Sequence, residues 1–165
     1  MSAIASLLIP MAVVVDLYES PMQYRAHDCL IDNVVYEARG ESPEGKLAVI
    51  EVTMERVSRS DYPDTVCGVV HDRAQFSWTN PGAMDFIDPP TEQEILEAAQ
   101  VVYSYLYNGL PSTPVAGSTH YLNPDKLNTL PNWYYAYDVV GRIDNHVFLK
   151  GPDVSRSLAT IAYNR

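Results

Sequence analysis

Apolar residues at helical spacing, running up to a glycine, constrain this chain more than any other feature. Leu30, Val34 and Ala38 recur at four-residue intervals, and Ile31 and Val35 widen the same side. The pattern predicts a helix from Asp28 onward with one buried face. Glu37 falls on the edge of that face rather than opposite it. Gly40 supplies a C-terminal stop, and Arg39 puts a cation in the last turn, where the exposed carbonyls favour positive charge. Any fold that satisfies this segment holds a carboxyl at the end of a buried helix.

Ser42-Pro43 reads as an N-cap followed by proline at the first helical position. It opens a helix over 44–57 that turns Leu47, Ala48, Ile50, Met54 and Val57 to one side. Arg56 and Arg59 finish this helix, and Asp61-Tyr62-Pro63 closes the unit. A short helix is expected over 64–70, capped by Asp61 or Asp64. Periodicity then disappears between His71 and Pro90, a stretch of turn composition that carries Phe76 and Trp78. Thr91 and Glu94 form a capping-box pair, and Ile95, Ala98, Ala99, Val102 and Leu106 make the stripe of a helix that Gly109 stops.

Beyond Pro111 and Pro114 the character changes to strands, expected over 117–122, 133–140 and 146–150. Residues 141–145 connect the last two, and 155–163 suggest a closing turn or helix. The apolar stretch 3–15 is separated from the rest by Glu19-Ser20-Pro21. No internal repeat occurs. The expectation is one α+β domain, mainly helical with a small antiparallel sheet: an N-terminal arm or helix over 1–21 and a body over 22–165.

Composition narrows the partners. At 165 residues and 47% apolar content the chain supports one ordinary core. Its 21 acidic against 11 basic side chains give a formal net charge of -10, a field that repels phosphate backbones and anionic lipids, so no nucleic-acid partner is expected. The stretch 3–15 contains Pro10, lacks a preceding Lys or Arg, and falls short of the roughly 20 residues a spanning helix needs. No stable membrane anchor is expected. Cys29 and Cys67 allow one disulfide, which spacing alone does not decide. His120 and His146 lack metal-ligand spacing and no HExxH occurs, so neither a metal nor another cofactor is expected.

Glu37 has two readings on residue chemistry alone. It is a boundary residue paired with Arg39 or Arg56, or it is a general acid. Burial beside Val34 and Ala38, the partial negative charge of a helix C-terminus, and Glu41 if it turns inward all favour the protonated carboxyl. A general acid needs that proton near neutral pH. Arg39 opposes it.

Val35-Tyr36-Glu37-Ala38-Arg39-Gly40-Glu41, then Gly45, Ala48-Val49, Val52 and Arg56-Val57, resembles the opening of the SleB-type cell wall hydrolase family. The resemblance continues through Tyr62-Pro63, Cys67-Gly68-Val69-Val70 and Gln75-Phe76-Ser77-Trp78. It returns at Thr119-His120-Tyr121, Asn123-Pro124, Trp133, Gly141-Arg142-Ile143 and His146-Val147-Phe148. It implies a single domain similar to goose-type lysozyme and lytic transglycosylases, acting on the glycan strands of bacterial peptidoglycan. It implies Glu37 as the catalytic acid; from position alone, Glu41, one helical turn on, and Asp144, on a hairpin that can approach the cleft, are the candidate auxiliary carboxylates. Gln75, Ser77 and Asn80 are expected to hydrogen-bond the sugar, Phe76 or Trp78 to give it a flat contact surface, and Tyr121 and His146 to line the cleft.

Transfer to the muramic 6-hydroxyl would make a lytic transglycosylase, and attack by water a hydrolase; a nonenzymatic glycan-binding or virion structural protein is the alternative. Full-length spore members add an export signal and a binding module. Their absence here leads to the expectation of a compact bacteriophage endolysin, in the host cytoplasm before it reaches the wall, or a virion-associated enzyme. A secreted or periplasmic site is the alternative.

Overall fold

The computed structural model describes residues 21–152. The arm up to residue 20 and the closing segment over 155–163 lie outside the described residues. The described chain forms α1 (Pro21–Glu37), α2 (Pro43–Ser58), α3 (Val66–Val70), α4 (Glu92–Asn108), β1 (His120–Leu122), α5 (Asn132–Ala136), β2 (Asp138–Ile143) and β3 (His146–Lys150). Short 3-10 turns occupy Ser77–Thr79, Ala83–Phe86 and Pro124–Lys126. The domain is therefore α+β and mainly helical, with one small antiparallel sheet.

Helix α1 begins seven residues before Asp28, at Pro21. Proline suits a first helical position because its missing N–H would have no intrahelical partner there. The helix ends at Glu37, and Gly40 adopts a φ of 80° that other residues rarely take. Leu30, Val34 and Val35 of α1, with Ala38 just past its end, pack on Val49 and Ile50 of α2 and on Ala98 and Val102 of α4. The opposite side of α2 meets the sheet, where Ala48 and Val52 join Val115, Ile143 and Phe148. Helix α2 is thus buried on two sides, and every residue from Gly45 to Thr53 is buried.

Two caps differ in how they match expectation. The Thr91 capping box is present: Glu94 N–H donates to Thr91 Oγ1 at 3.2 Å, and Thr91 N–H donates to the Glu94 carboxylate at 2.7 Å. Helix α3, by contrast, is capped by Thr65 rather than Asp61 or Asp64, with Gly68 N–H donating to Thr65 Oγ1 at 3.1 Å. Cys29 of α1 and Cys67 of α3 are joined in a disulfide with a Cα separation of 5.3 Å.

The expected strand over 133–140 is half wrong. Its first part forms α5, because Trp133 and Tyr137, four residues apart, both close on the His120 ring at 5.0 and 4.7 Å. Helical spacing puts those two rings on one side, whereas a strand would leave them on one face but much further apart. Strand β2 then runs on through Ile143, so only Asp144-Asn145 turns the hairpin, with Asp144 in the left-handed region at φ 48°. The sheet order is β1-β3-β2, with β3 central and buried from His146 to Leu149. Tyr121 pairs with Phe148 across β1 and β3.

Candidate active site

Glu37 is the last residue of α1 and is half-buried. Tyr121, delivered by β1, donates its hydroxyl to Glu37 Oε2 at 3.1 Å. The Tyr121 ring is fixed by His146 at 5.2 Å and Phe148 at 5.6 Å, both from the central strand. Arg39 points elsewhere: its guanidinium donates to the Asp88 carbonyl at 3.0 Å and lies 3.6 Å from Glu94. The boundary ion pair with Arg39 is therefore not formed. Arg56 is buried, donates from Nε to the Thr119 carbonyl at 2.8 Å, and lies 5.5 and 5.1 Å from the Tyr62 and Phe76 ring centres.

Burial raises the Glu37 pKa above the ordinary carboxyl value, and the Tyr121 hydrogen bond and the Arg56 and Lys126 charges only partly oppose it. Burial, reinforced by Glu37, holds the Tyr121 hydroxyl well above its ordinary pKa, so it stays a donor. The site presents a carboxyl of raised pKa and the phenol that donates to it. Lys126 was missed from sequence: it arrives on the Pro124–Lys126 turn, within no periodic pattern.

Both expected auxiliary carboxylates fasten the β2–β3 hairpin to the α1–α2 turn. Glu41 is 8% exposed and accepts from Asn145 Nδ2 at 2.9 Å and from Asn145 N–H at 3.2 Å. His146 Nδ1 lies 3.9 Å from Glu41, but burial lowers the His146 pKa despite the Glu41 charge, so the contact is not an ion pair near neutral pH. Asp144 accepts from Ser42 N–H at 2.8 Å and from Ser42 Oγ at 2.6 Å, bonds that hold its carboxyl below the usual range. Ser42 Oγ in turn accepts from Gly45 N–H at 3.1 Å, capping α2.

Gly45 makes this junction possible. A Cβ there would sit 2.5 Å from Asp144 Oδ2 and 3.1 Å from Glu41 Cβ. The carboxylate cannot swing away without losing both Ser42 bonds. Gly45→Ala is expected to cost about 1–3 kcal/mol, as overpacking does elsewhere, and to lower the thermal unfolding midpoint by several degrees. An unchanged midpoint would show that the hairpin is not pinned at this point.

The aromatic pair in the irregular stretch needs correction. Phe76 is 2% exposed, with Arg56 against its ring and Val69 and Val70 in the same cluster. Trp78 is buried, donates Nε1–H to Asn33 Oδ1 at 3.3 Å, and stacks on Tyr36 at 4.8 Å. Asn33 donates onward to Thr53 Oγ1 at 3.1 Å, so the indole nitrogen is satisfied inside the core. Neither ring offers an open face to a sugar, because the Ser77–Thr79 turn sits over the core with Trp78 directed inward. Ser77 and Asn80 are exposed and Gln75 is half-buried, so their polar groups remain accessible.

His120 is not part of this constellation. It alternates with Tyr121 along β1 and therefore faces the other side of the sheet. Burial, then the Arg56 and Arg59 charges, push its pKa down to about 4. Among the described residues no cluster of three or more His, Cys, Asp or Glu could hold a metal ion.

A carboxyl whose pKa burial raises, set at a helix end against a small sheet, is the candidate acid of this mainly helical α+β domain. Residues 40–149 match the Cell Wall Hydrolase family, and the chain belongs to that family, in its SleB-type branch. The match opens just after Glu37. The chain is 31% identical over 134 residues to a spore cortex-lytic enzyme of Oceanobacillus iheyensis, covering 79% of this chain and 44% of that protein. It is 31% identical over 121 residues to the spore cortex-lytic enzyme of Bacillus subtilis, covering 72% and 36%. The chain thus spans less than half the length of these relatives.

Among solved structures, it is similar to the catalytic domain of the germination-specific lytic transglycosylase SleB from Bacillus anthracis. The TM-score is 0.59 and the identity 28%, covering 81% of this chain and 98% of that one. The catalytic domain of the Bacillus cereus SleB protein gives a TM-score of 0.55 at 27% identity, covering 76% and 91%. These relatives are bacterial spore proteins, and a phage origin finds no support in them.

Proposed function

We propose that this chain cleaves the β-1,4 glycan bond of bacterial peptidoglycan by lytic transglycosylation, with Glu37 as acid and then base. The observation that carries the reading is the half-buried Glu37 carboxyl, its pKa raised by burial and its Oε2 accepting from the Tyr121 hydroxyl. Membership of the Cell Wall Hydrolase family and likeness to the lytic transglycosylase of Bacillus anthracis support the substrate class. Protonated Glu37 gives its proton to the bridging oxygen as the bond to the anomeric carbon breaks. The substrate's 2-acetamido oxygen stabilises the charge that develops there. Ionised Glu37 then takes the proton of the muramic 6-hydroxyl as that oxygen closes on the anomeric carbon, leaving a 1,6-anhydro end and restoring the acid. Gln75 and Ser77 supply hydrogen bonds to the acetamido and hydroxyl groups of the glycan, and His146 holds Tyr121 from behind.

The ordinary two-carboxylate mechanisms of glycosidases require a second free carboxylate. Glu41 and Asp144, the sequence candidates, are committed to the hairpin, which favours the internal hydroxyl over activated water. The Cys29–Cys67 disulfide favours action outside a reducing cytoplasm, in a secreted or periplasmic setting. The test is mass analysis of purified peptidoglycan digested by this protein. Products ending in 1,6-anhydromuramic acid support the proposal, and reducing ends alone would replace it with hydrolysis.

Tyr121→Phe gives a separate expectation. The hydrogen bond it deletes favours the ionised carboxylate and so lowers the Glu37 pKa. Without it the pKa rises further, the proton is retained to higher pH, and the basic limb of the rate profile moves upward. A pH–rate profile of the two proteins checks this; a limb displaced to lower pH would contradict the assignment.

A further inference from the structure

A second concavity lies outside the Glu37 site. It is a cavity of about 850 Å³ between the start of α2, the outer face of α4 and the segment over 110–113. That size falls within the roughly 300–1,000 Å³ typical of ligand pockets. Leu47, Val101 and Leu110 give it an apolar wall, and Gln100, Ser104 and Ser112 add amide and hydroxyl groups. Four charged residues line it, and the carboxylate of one, Glu41, is bound to Asn145 of the hairpin. Lys46 is buried and already engaged, with Nζ donating to the Glu41 carbonyl at 2.8 Å and to Glu97 Oε2 at 3.2 Å. Glu97 is thereby neutralised by Lys46. Glu44, exposed at the edge of the cavity in the first turn of α2, leaves the cavity with a net negative charge.

Glu41 is the wall shared with the active site. Its carbonyl binds Lys46 on the cavity side, while its carboxylate binds Asn145 of the hairpin beside Tyr121 and His146. A ligand in the cavity is therefore one residue layer from the groups that hold Glu37.

We infer that this cavity binds the peptide substituent carried by the glycan strand, and that it selects a stem containing a diamino acid. This rests on the proposed glycan substrate. The amide and hydroxyl groups suit a peptide backbone, which needs both donors and acceptors. The apolar wall suits the aliphatic stem of the diamino acid, and Glu44 suits its free ammonium group, the one charge the cavity leaves unmatched.

The test uses two probes and two readouts. An isolated stem tetrapeptide containing lysine, and the same peptide acetylated on its side-chain amine, are titrated into the protein by calorimetry. The free-amine peptide is expected to bind, and acetylation or Glu44→Gln to weaken it about tenfold, the scale of one charge-assisted hydrogen bond. Ser104→Trp, which fills the cavity, is expected to abolish binding. In cleavage assays Glu44→Gln raises KM for peptide-bearing strands and leaves amidase-stripped strands unaffected.

No binding of the free-amine peptide, or equal binding after acetylation and in Glu44→Gln, overturns the inference while cleavage of both strands leaves the glycan activity standing. If neither strand is cut, the glycan activity falls and calorimetry alone decides the cavity's ligand.

Discussion

Glu37→Gln is expected to abolish glycan cleavage and, at the same time, to make the folded domain more stable at neutral pH. The substitution keeps the shape and the acceptor for the Tyr121 hydroxyl, so packing at the end of α1 is preserved. It removes the carboxyl that, in the proposed mechanism, first gives and then takes the proton. General acid–base catalysis of this kind contributes roughly 10²–10⁴ in rate, and a single group acting in both steps places the loss toward or beyond the upper end. The stability effect follows from the raised pKa. A carboxyl whose folded pKa exceeds its unfolded value binds more protons when folded, so folding stability declines as pH rises from the unfolded pKa through the folded one. Above that window wild-type protein carries the full cost of a half-buried carboxylate, and the glutamine variant does not. Thermal unfolding at acidic and neutral pH, alongside product analysis, tests both halves. Full activity in the variant removes Glu37 from the mechanism; a variant less stable than wild type at neutral pH contradicts the burial argument.

What the sequence revealed and what it concealed follow from the range over which each interaction acts. The α1 stripe, the Ser42-Pro43 start of α2 and the Thr91–Glu94 capping box are local, with all their partners within a few residues, and each stands where spacing put it. The place of Glu37 at a helix end beside an apolar face is legible for the same reason, since both features are contiguous with it. The roles of Glu41 and Asp144 depend on contacts spanning more than 100 positions, with Asn145 and Ser42 respectively, and no local pattern encodes them. Phe76 and Trp78 misled because aromatic residues in a nonperiodic stretch look solvent-facing. Their burial depends on Arg56 and Asn33, which belong to other helices. The aromatic residues of α5 carry high strand propensity, and the contacts of Trp133 and Tyr137 with His120 override it.

Reducing the Cys29–Cys67 disulfide is expected to lower the unfolding midpoint substantially while leaving activity at low temperature nearly intact. The two cysteines are 38 positions apart, and closing a loop of that size in the unfolded chain corresponds to about 4 kcal/mol in the chain-entropy model. For a domain of this size that is on the order of 10 °C in the midpoint. Both cysteines are half-buried, so a small reductant has access to the bond without global unfolding. The bond ties the middle of α1 to α3, and α3 packs with Phe76 and Trp78, whose ring stacks on Tyr36 next to Glu37. While the fold persists, that packing and the Tyr121 contact keep Glu37 in place, so the rate at 25 °C should change by no more than a few-fold. Between the reduced and oxidised midpoints only the oxidised protein should cut glycan. Unfolding curves of wild type and Cys67→Ser, each with and without reductant, separate the bond from side effects of the reagent: the wild-type midpoint should fall toward that of the variant, which itself should not move. Coincident wild-type curves under both conditions would mean that the bond contributes nothing to holding α3 against the helix that carries the acid.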